Sequence, residues 1–315
     1  MMDYEKKATR EAYGNALAEL GDKYDFLVLD ADLAAATKTN IFKKKFPDRF
    51  FDCGIAEGNM MSVAAGIAST GKTVFASSFA MFASGRAFEQ VRNSIGYPHL
   101  NVKIGATHAG ITVGEDGATH QCLEDIGVMR TIPGMTIINP ADAVEARAAV
   151  EAAINMNGPV YMRFGRYATP IFNTGADYKF EIGKGVNLAE GTDVTLIGTG
   201  FMVFMCLEAR ELLAAEGISA RVVNIHTIKP IDREIITDAA KKTGAIVTAE
   251  EHNVIGGLGS AVAEVVCETC PVPMLRVGVN DTFGRSGTVP ALLEAYGLTP
   301  AAIAAKAKEA VGLKK

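Results

Sequence analysis

Short apolar, β-branched runs alternate with longer Ala-rich stretches from one end of the chain to the other. The runs at residues 26–30 (FLVLD), 73–77, 102–107, 135–139 and 160–164 have the length and composition of buried strands. Between them, residues 57–69, 80–94, 123–130 and 141–156 read as helices, the last started by Pro140. Strands alternating with helices are the signature of a parallel sheet built from βαβ units. Between Thr169 and Glu190 the pattern lapses into Pro, Gly, Asn and Asp, as a linker does. A second alternating block follows, with strands at 194–197, 221–225, 245–248 and 274–277 and helices at 201–215, 233–241, 258–267 and 300–310. The pattern therefore predicts an α/β protein of two tandem domains, each a largely parallel sheet flanked by helices. We place the first at residues 1–170, the linker at 171–190 and the second domain at 191–315.

Composition narrows what such a chain can do. At about 150 residues per domain, 315 residues also suggest two domains. Hydrophobic residues at 49% and charged residues at 21% are ordinary for a globular chain and exclude a disordered one. The formal charge is −5, and no basic cluster exceeds Lys43-Lys44-Lys45, which argues against a nucleic-acid or membrane partner. The longest apolar runs, such as residues 61–68, are too short to span a bilayer. The opening Met1-Met2-Asp3-Tyr4-Glu5-Lys6 lacks the apolar segment of a signal peptide, and five scattered cysteines do not form a disulfide framework. The expectation is a soluble, cytoplasmic protein.

Some motifs carry little. Gly198-Thr199-Gly200 begins like a dinucleotide fingerprint, but Val203 stands where the third glycine belongs. Gly256-Gly257-Leu258-Gly259 opens a helix with a spacing that fits no phosphate loop, and tight βα turns account for both. Cys267 and Cys270 have the spacing of a redox or zinc pair without a second pair or a nearby histidine, so they read as structural. His226 and His252 sit at strand ends of the second block and read as packing or polar contacts.

The chemistry concentrates in the first block. Residues 107–121, THAGITVGEDGATHQ, place two histidines and two carboxylates in one Gly-rich loop directly after a strand. Loops at the carboxyl ends of parallel strands are where such sheets bind ligands. Glycines let the backbone approach a ligand closely, imidazoles transfer protons near neutral pH, and carboxylates accept hydrogen bonds from hydroxyl groups.

GEDGATHQ at 114–121 resembles the GEDGPTHQ signature of the transketolase family, and THAG before it resembles that family's THDS. Further resemblances run in order: ATRE at 8–11, DADL at 30–33, CGIAE at 53–57, SSFAMF at 77–82, PVYMRFGR at 159–166, HTIKPID at 226–232 and Glu250-Glu251-His252. They cover essentially the whole chain. No Gly-Asp-Gly motif, with which the family binds the diphosphate through a metal, is present; Gly21-Asp22 is followed by Lys23. The resemblance thus implies the C-terminal half of a split transketolase, comprising the pyrimidine-binding and C-terminal domains. The cofactor would be thiamine diphosphate, with Mg2+ or Ca2+ bound by ligands on an N-terminal partner subunit, in an α2β2 assembly. The activity implied is transfer of a two-carbon ketol unit between sugar phosphates, placing the chain in carbohydrate metabolism and the pentose phosphate pathway.

The same resemblance assigns residues. Glu57 and His120 would be catalytic, with Glu57, Phe79, Phe82 and Asp32 on the cofactor and no metal ligand on this chain. Among substrate contacts, Arg10, His108 and Arg166 would bind the phosphate, Asp116 a hydroxyl, and His120 the donor carbonyl or its adjacent hydroxyl. Arg163 is a lower-ranked candidate. Residues 55, 56, 60, 61 and 63 (Ile, Ala, Met, Met, Val) would surround Glu57 with apolar side chains. Where the family carries a phosphate-binding Ser after ADL, this chain has Ala34-Ala35-Ala36, and Thr37 and Thr39 are the nearest hydroxyls. Two families compete. The β subunits of 2-oxoacid dehydrogenases share the layout but usually lack the DGATHQ signals. Deoxyxylulose phosphate synthase shares the DG-x-THQ element, and RAFEQV at 86–91 resembles its RAYDQV, but it carries all its domains on one chain.

Overall fold

The apolar runs of the first block become neighbouring strands. In this computed structural model, which describes residues 4–173 and 178–314, Val102–Thr107 lies at the middle of a seven-stranded sheet. Its partners on one side are Thr73–Phe79, Phe26–Asp30 and Phe50–Asp52, and on the other Val160–Arg163 and Thr136–Ile138, all parallel. Every residue of Val102–Thr107 is buried, as a strand covered on both faces must be. One face is covered by the helices Thr9–Leu20 and Ala143–Asn155, with Tyr13, Leu17 and Val150 packed on Phe26, Phe75 and Phe164. The other is covered by the helix Glu57–Ala68, whose Met60, Met61 and Ala64 join Leu29, Val74 and Ile104. Asp142 caps Ala143–Asn155 by accepting from the Glu145 N–H at 3.0 Å.

The second block forms a five-stranded sheet in the order Met274–Val279, Ile246–Asn253, Val194–Gly198, Ala220–Asn224, Val186–Ala189, with only the last strand antiparallel. Thr227–Lys229, in the second block by sequence, pairs antiparallel with Thr136–Ile138 and completes the first sheet. Three residues are too few to show a period, so the pattern along the chain did not reveal this strand. Of the predicted linker, residues 174–177 lie outside the described residues, while Val186–Ala189 is a strand rather than linker.

The helix predicted over 80–94 is not continuous. It is two π-helical turns, Met81–Arg86 and Val91–Gly96, joined by Phe88–Gln90. Ser84 Oγ donates to the Ala80 carbonyl at 2.7 Å, a side-chain bond that competes with the regular ladder. No helix among the described residues is long and apolar enough to cross a membrane.

Candidate active site

Four strands of the first sheet end at Asp30, Phe79, Thr107 and Arg163, and the loops leaving them converge. The Gly-rich loop after Thr107 turns through left-handed φ values at His108 (56°), Gly110 (82°), Gly114 (85°) and Gly117 (77°). Gly110 has a second constraint, since a Cβ there would overlap the Glu251 carboxylate from the second block.

Glu57, the first residue of its helix, is buried, and its Oε2 accepts from Arg86 Nη1 at 2.9 Å. Its Oε1 makes no hydrogen bond among the described residues. The Arg86 guanidinium stacks over the Phe82 ring at 4.6 Å, and the π-helical turn presents both side chains. Phe82 and Phe79 lie nearly parallel with centroids 5.9 Å apart. The His120 ring meets Phe82 edge-on at 5.4 Å and Phe79 at 6.1 Å. Thr119 Oγ1 lies 2.9 Å from His120 Nδ1, which leaves Nε2 unpaired among the described residues. The apolar surround expected for Glu57 is half present. Met60 and Met61 are buried, but Ile55 is 77% exposed and Val63 38%, and with Phe51 they turn outward.

A cationic group lies beside this one. Arg10 Nη1 is 3.1 Å from His108 Nε2, and His108 Nδ1 is 3.0 Å from Thr107 Oγ1. A guanidinium only donates, so Nε2 accepts and the ring proton sits on Nδ1. Burial, then the charges of Arg10 and Arg166, push the imidazole down to about 3, so the ring is neutral. It stacks on Phe79 at 3.8 Å, which joins the cationic group to the aromatic one. Arg166 Nη1 donates to the Val113 carbonyl and lies 3.3 Å from Glu115 Oε2. Asp116 is exposed on the same loop.

Thr37 and Thr39 are not free to replace the missing serine. Their hydroxyls donate to Asp30 Oδ2 at 2.7 and 2.8 Å. Burial raises the Asp30 carboxyl to about 6 against these bonds and the one from the Leu33 N–H. Asp32 stands at the rim with φ 60°, its N–H donating to Asp52 Oδ1 at 3.0 Å. That carboxylate oxygen also holds the Gly54 N–H, so Asp32 adjoins the segment leading to Glu57.

Sequence reasoning missed the clasp from the second block. Glu251 Oε2 accepts from Thr112 N–H at 3.2 Å and Thr112 Oγ1 at 2.8 Å. Arg163, the low-ranked candidate, is buried away from the site surface. It pairs with Asp125 at 2.9 Å and donates to the Glu251 carbonyl at 3.0 Å. Gln121 Nε2 donates to the carbonyls of Ile111, Gly114 and Arg285, tying the loop ends to each other and to the second block. These are contacts between residues far apart in sequence, and no local motif signals them.

The site and fold have relatives. Residues 5–171 match the family model for the transketolase pyrimidine binding domain, and residues 183–303 the one for the transketolase C-terminal domain. A putative transketolase C-terminal section from Methanocaldococcus jannaschii is 52% identical over 306 residues, 96% of this chain and 96% of that one. A 6-deoxy-6-sulfo-D-fructose transketolase subunit from a Clostridium species is 47% identical over 301 residues, 95% of this chain and 93% of the relative. Human transketolase is 40% identical over 304 residues, which is 95% of this chain but 48% of the human one. A solved split gene transketolase, described as an inactive β4 tetramer, superposes with a TM-score of 0.92 at 55% identity, covering 98% of this chain and 99% of that one. With both family models matched in tandem on one chain, this protein belongs to the transketolase family, of which it carries the pyrimidine-binding and C-terminal domains.

Proposed function

We propose that this chain is the pyrimidine-side subunit of a two-polypeptide transketolase, moving a two-carbon ketol unit from a ketose phosphate to an aldose phosphate. The observation that carries the reading is Glu57, a buried carboxylate with one oxygen open and the other paired to Arg86, whose guanidinium lies over the Phe82 ring. An open carboxylate next to an aromatic face fits an aminopyrimidine, which needs both a hydrogen-bond partner at a ring nitrogen and a flat surface to stack on. Thiamine diphosphate, once bound, supplies the electron sink for breaking and forming the carbon–carbon bond.

The chain's own groups do the rest. Glu57 holds a proton at Oε1 against the ring nitrogen, and Phe82 and Phe79 fix the plane of the ring. Asp32 shapes the rim of this pocket. His120 presents Nε2 to the donor carbonyl or its adjacent hydroxyl and moves a proton there, held in orientation by Thr119. Asp116 accepts from a substrate hydroxyl and so favours one configuration. Arg10, Arg166 and His108 form the pocket for the substrate phosphate, with His108 acting by orienting Arg10.

A partner subunit carrying the diphosphate-binding domain and the Mg2+ or Ca2+ ligands completes each site, and two sites about a twofold axis give an α2β2 assembly. The exposed Phe51, Ile55 and Val63, near Glu57 in sequence, support this, because exposed large apolar side chains suit a protein contact. The reading is tested by co-expressing the chain with such a partner and assaying ketol transfer between sugar phosphates. Turnover by the pair that is lost in Glu57→Gln is the expected result. A fully active Glu57→Gln pair would overturn it.

A further inference from the structure

The turn at residues 33–39 holds a cation that the contacts above leave unexplained. Lys38 is half-buried and adopts φ 71°, a left-handed conformation unfavourable for a residue with a side chain. Its ammonium makes no ion pair or hydrogen bond among the described residues. The residues on either side, Thr37 and Thr39, are pinned to Asp30, so the turn is rigid and its conformation imposed.

The turn also lies close against the helix Thr9–Leu20. A Cβ at Gly14 would overlap both the carbonyl and the Cβ of Lys38, so Gly14 is what lets this turn close on the helix. Gly14 lies one helical turn beyond Arg10, on the same face. Arg10 Nη1 in turn donates to the Ala36 carbonyl at 2.9 Å, which fixes the guanidinium to the same turn. The charge of Lys38 reaches the His108 ring, adding to those of Arg10 and Arg166 there. Arg10, bonded both to this turn and to His108, thus holds the Lys38 turn beside the cationic pocket.

We propose that Lys38 is a binding and specificity residue for the anionic head of the sugar substrate, taking the place that a hydroxyl of this turn cannot fill. This rests on the function proposed above. An ammonium is a compact point charge that demands no particular lone-pair geometry, unlike a hydroxyl or a guanidinium fork. The pocket therefore recognises its head group by charge and admits a terminal phosphate or a terminal sulfonate, both tetrahedral oxyanions. It gives no equivalent help to a neutral ketose.

The test uses the reconstituted two-chain enzyme with three donors: a ketose phosphate, a ketose with a terminal sulfonate, and an unphosphorylated ketose. Lys38→Met, which keeps the apolar stem, should raise KM for the charged donors about tenfold, as expected for loss of one charge-assisted contact. It should leave kcat, and KM for the neutral donor, within about twofold of wild type, and Lys38→Arg should recover most of the loss. A rise confined to one charged donor overturns recognition by charge alone. An unchanged KM for both charged donors, or an equal rise for the neutral one, overturns the proposal. If the wild-type pair transfers no ketol unit from any sugar, the reaction assigned above is wrong. The head site is then read by calorimetric titration of the same pair with inorganic phosphate and with methanesulfonate. Binding that weakens in Lys38→Met upholds the anion site, and binding that does not, or no binding to wild type, rejects it.

Discussion

Glu57 and Glu250 are both buried carboxylates at the mouth of a helix, one in each block, and they are used in opposite ways. Glu250 Oε2 accepts from the Leu258 N–H at 2.7 Å and Oε1 from the Gly259 N–H at 2.8 Å, so both oxygens are spent on starting the helix Leu258–Thr269. Glu57 starts its own helix and keeps one oxygen without a hydrogen bond among the described residues. The imidazoles divide in the same way. His120 keeps Nε2 open, whereas His252 is fully buried, with Nδ1 on the Asn253 carbonyl at 2.6 Å and Nε2 accepting from the Gly127 N–H. Burial of titratable groups is therefore shared by both domains. What separates a reactive surface from a scaffold here is whether a buried or half-buried group has capacity left over.

The strongest way to break this contrast is to exchange amides for the two carboxylates. Glu57→Gln should lower ketol transfer by the reconstituted pair by about 10²–10⁴-fold, the range for a lost acid–base group, with the unfolding midpoint unchanged. Glu250→Gln should do the reverse, lowering stability while leaving the turnover of the folded fraction intact. Steady-state rates and denaturant curves on both variants decide it. A Glu250→Gln enzyme that folds normally yet fails to turn over would erase the distinction.

Next in size is the cationic pocket. Arg166→Ala should weaken transition-state binding of a phosphorylated donor by about 1.5–3 kcal/mol, read as kcat/KM, and that of an unphosphorylated donor by much less. Equal losses would place Arg166 outside the phosphate site, as a prop for the Val113 carbonyl.

The clasp between the domains should show in stability and local dynamics. Glu251→Ala removes the acceptor of two Thr112 donors and leaves them buried, costing about 1–3 kcal/mol. Hydrogen exchange should accelerate across residues 110–121, while the helix Ala143–Asn155, whose core partners include no residue of that loop, keeps its protection. Unchanged exchange in the loop would mean that the second domain does not hold it.

The smallest effect concerns pH. Burial raises the Glu250 carboxyl to about 7, above the usual carboxylate value near 4.5. The folded chain then keeps a proton that the unfolded chain has already released. This contribution to stability is complete below about pH 4.5 and is lost as pH rises through 7. Glu250→Gln cannot titrate, so its stability should fall less steeply over that interval. A parallel pH profile would assign the slope to other groups, such as Glu145, whose carboxyl burial also raises to about 7.

The sequence revealed the parts of the site that are contiguous, and little of what holds them in place. His108 to Gln121 lie in one loop, Phe79 and Phe82 three residues apart across a strand end, and Cys53 to Glu57 in one segment, so each could be recognised as a unit. The Glu57–Arg86 pair spans 29 residues and Thr112–Glu251 spans 139, and neither leaves a local trace. Periodicity found the long strands because a strand buried on both faces is apolar throughout. It joined 80–94 into one helix because composition does not register two π-helical turns. The family resemblance pointed to Thr37 and Thr39 in place of the missing serine because their hydroxyls are visible in sequence, whereas their bonds to Asp30 are not.

The central claim is that this chain holds the pyrimidine side of a cofactor site and requires a partner for the rest. Titration calorimetry of the isolated chain with thiamine diphosphate and Mg2+ tests it most directly. Ring stacking and one carboxylate should support binding no tighter than about millimolar, because no metal-ligand cluster stands among the described residues to hold the charged diphosphate end. Tight binding to the isolated chain, or ketol transfer by it after rigorous purification, would contradict the account.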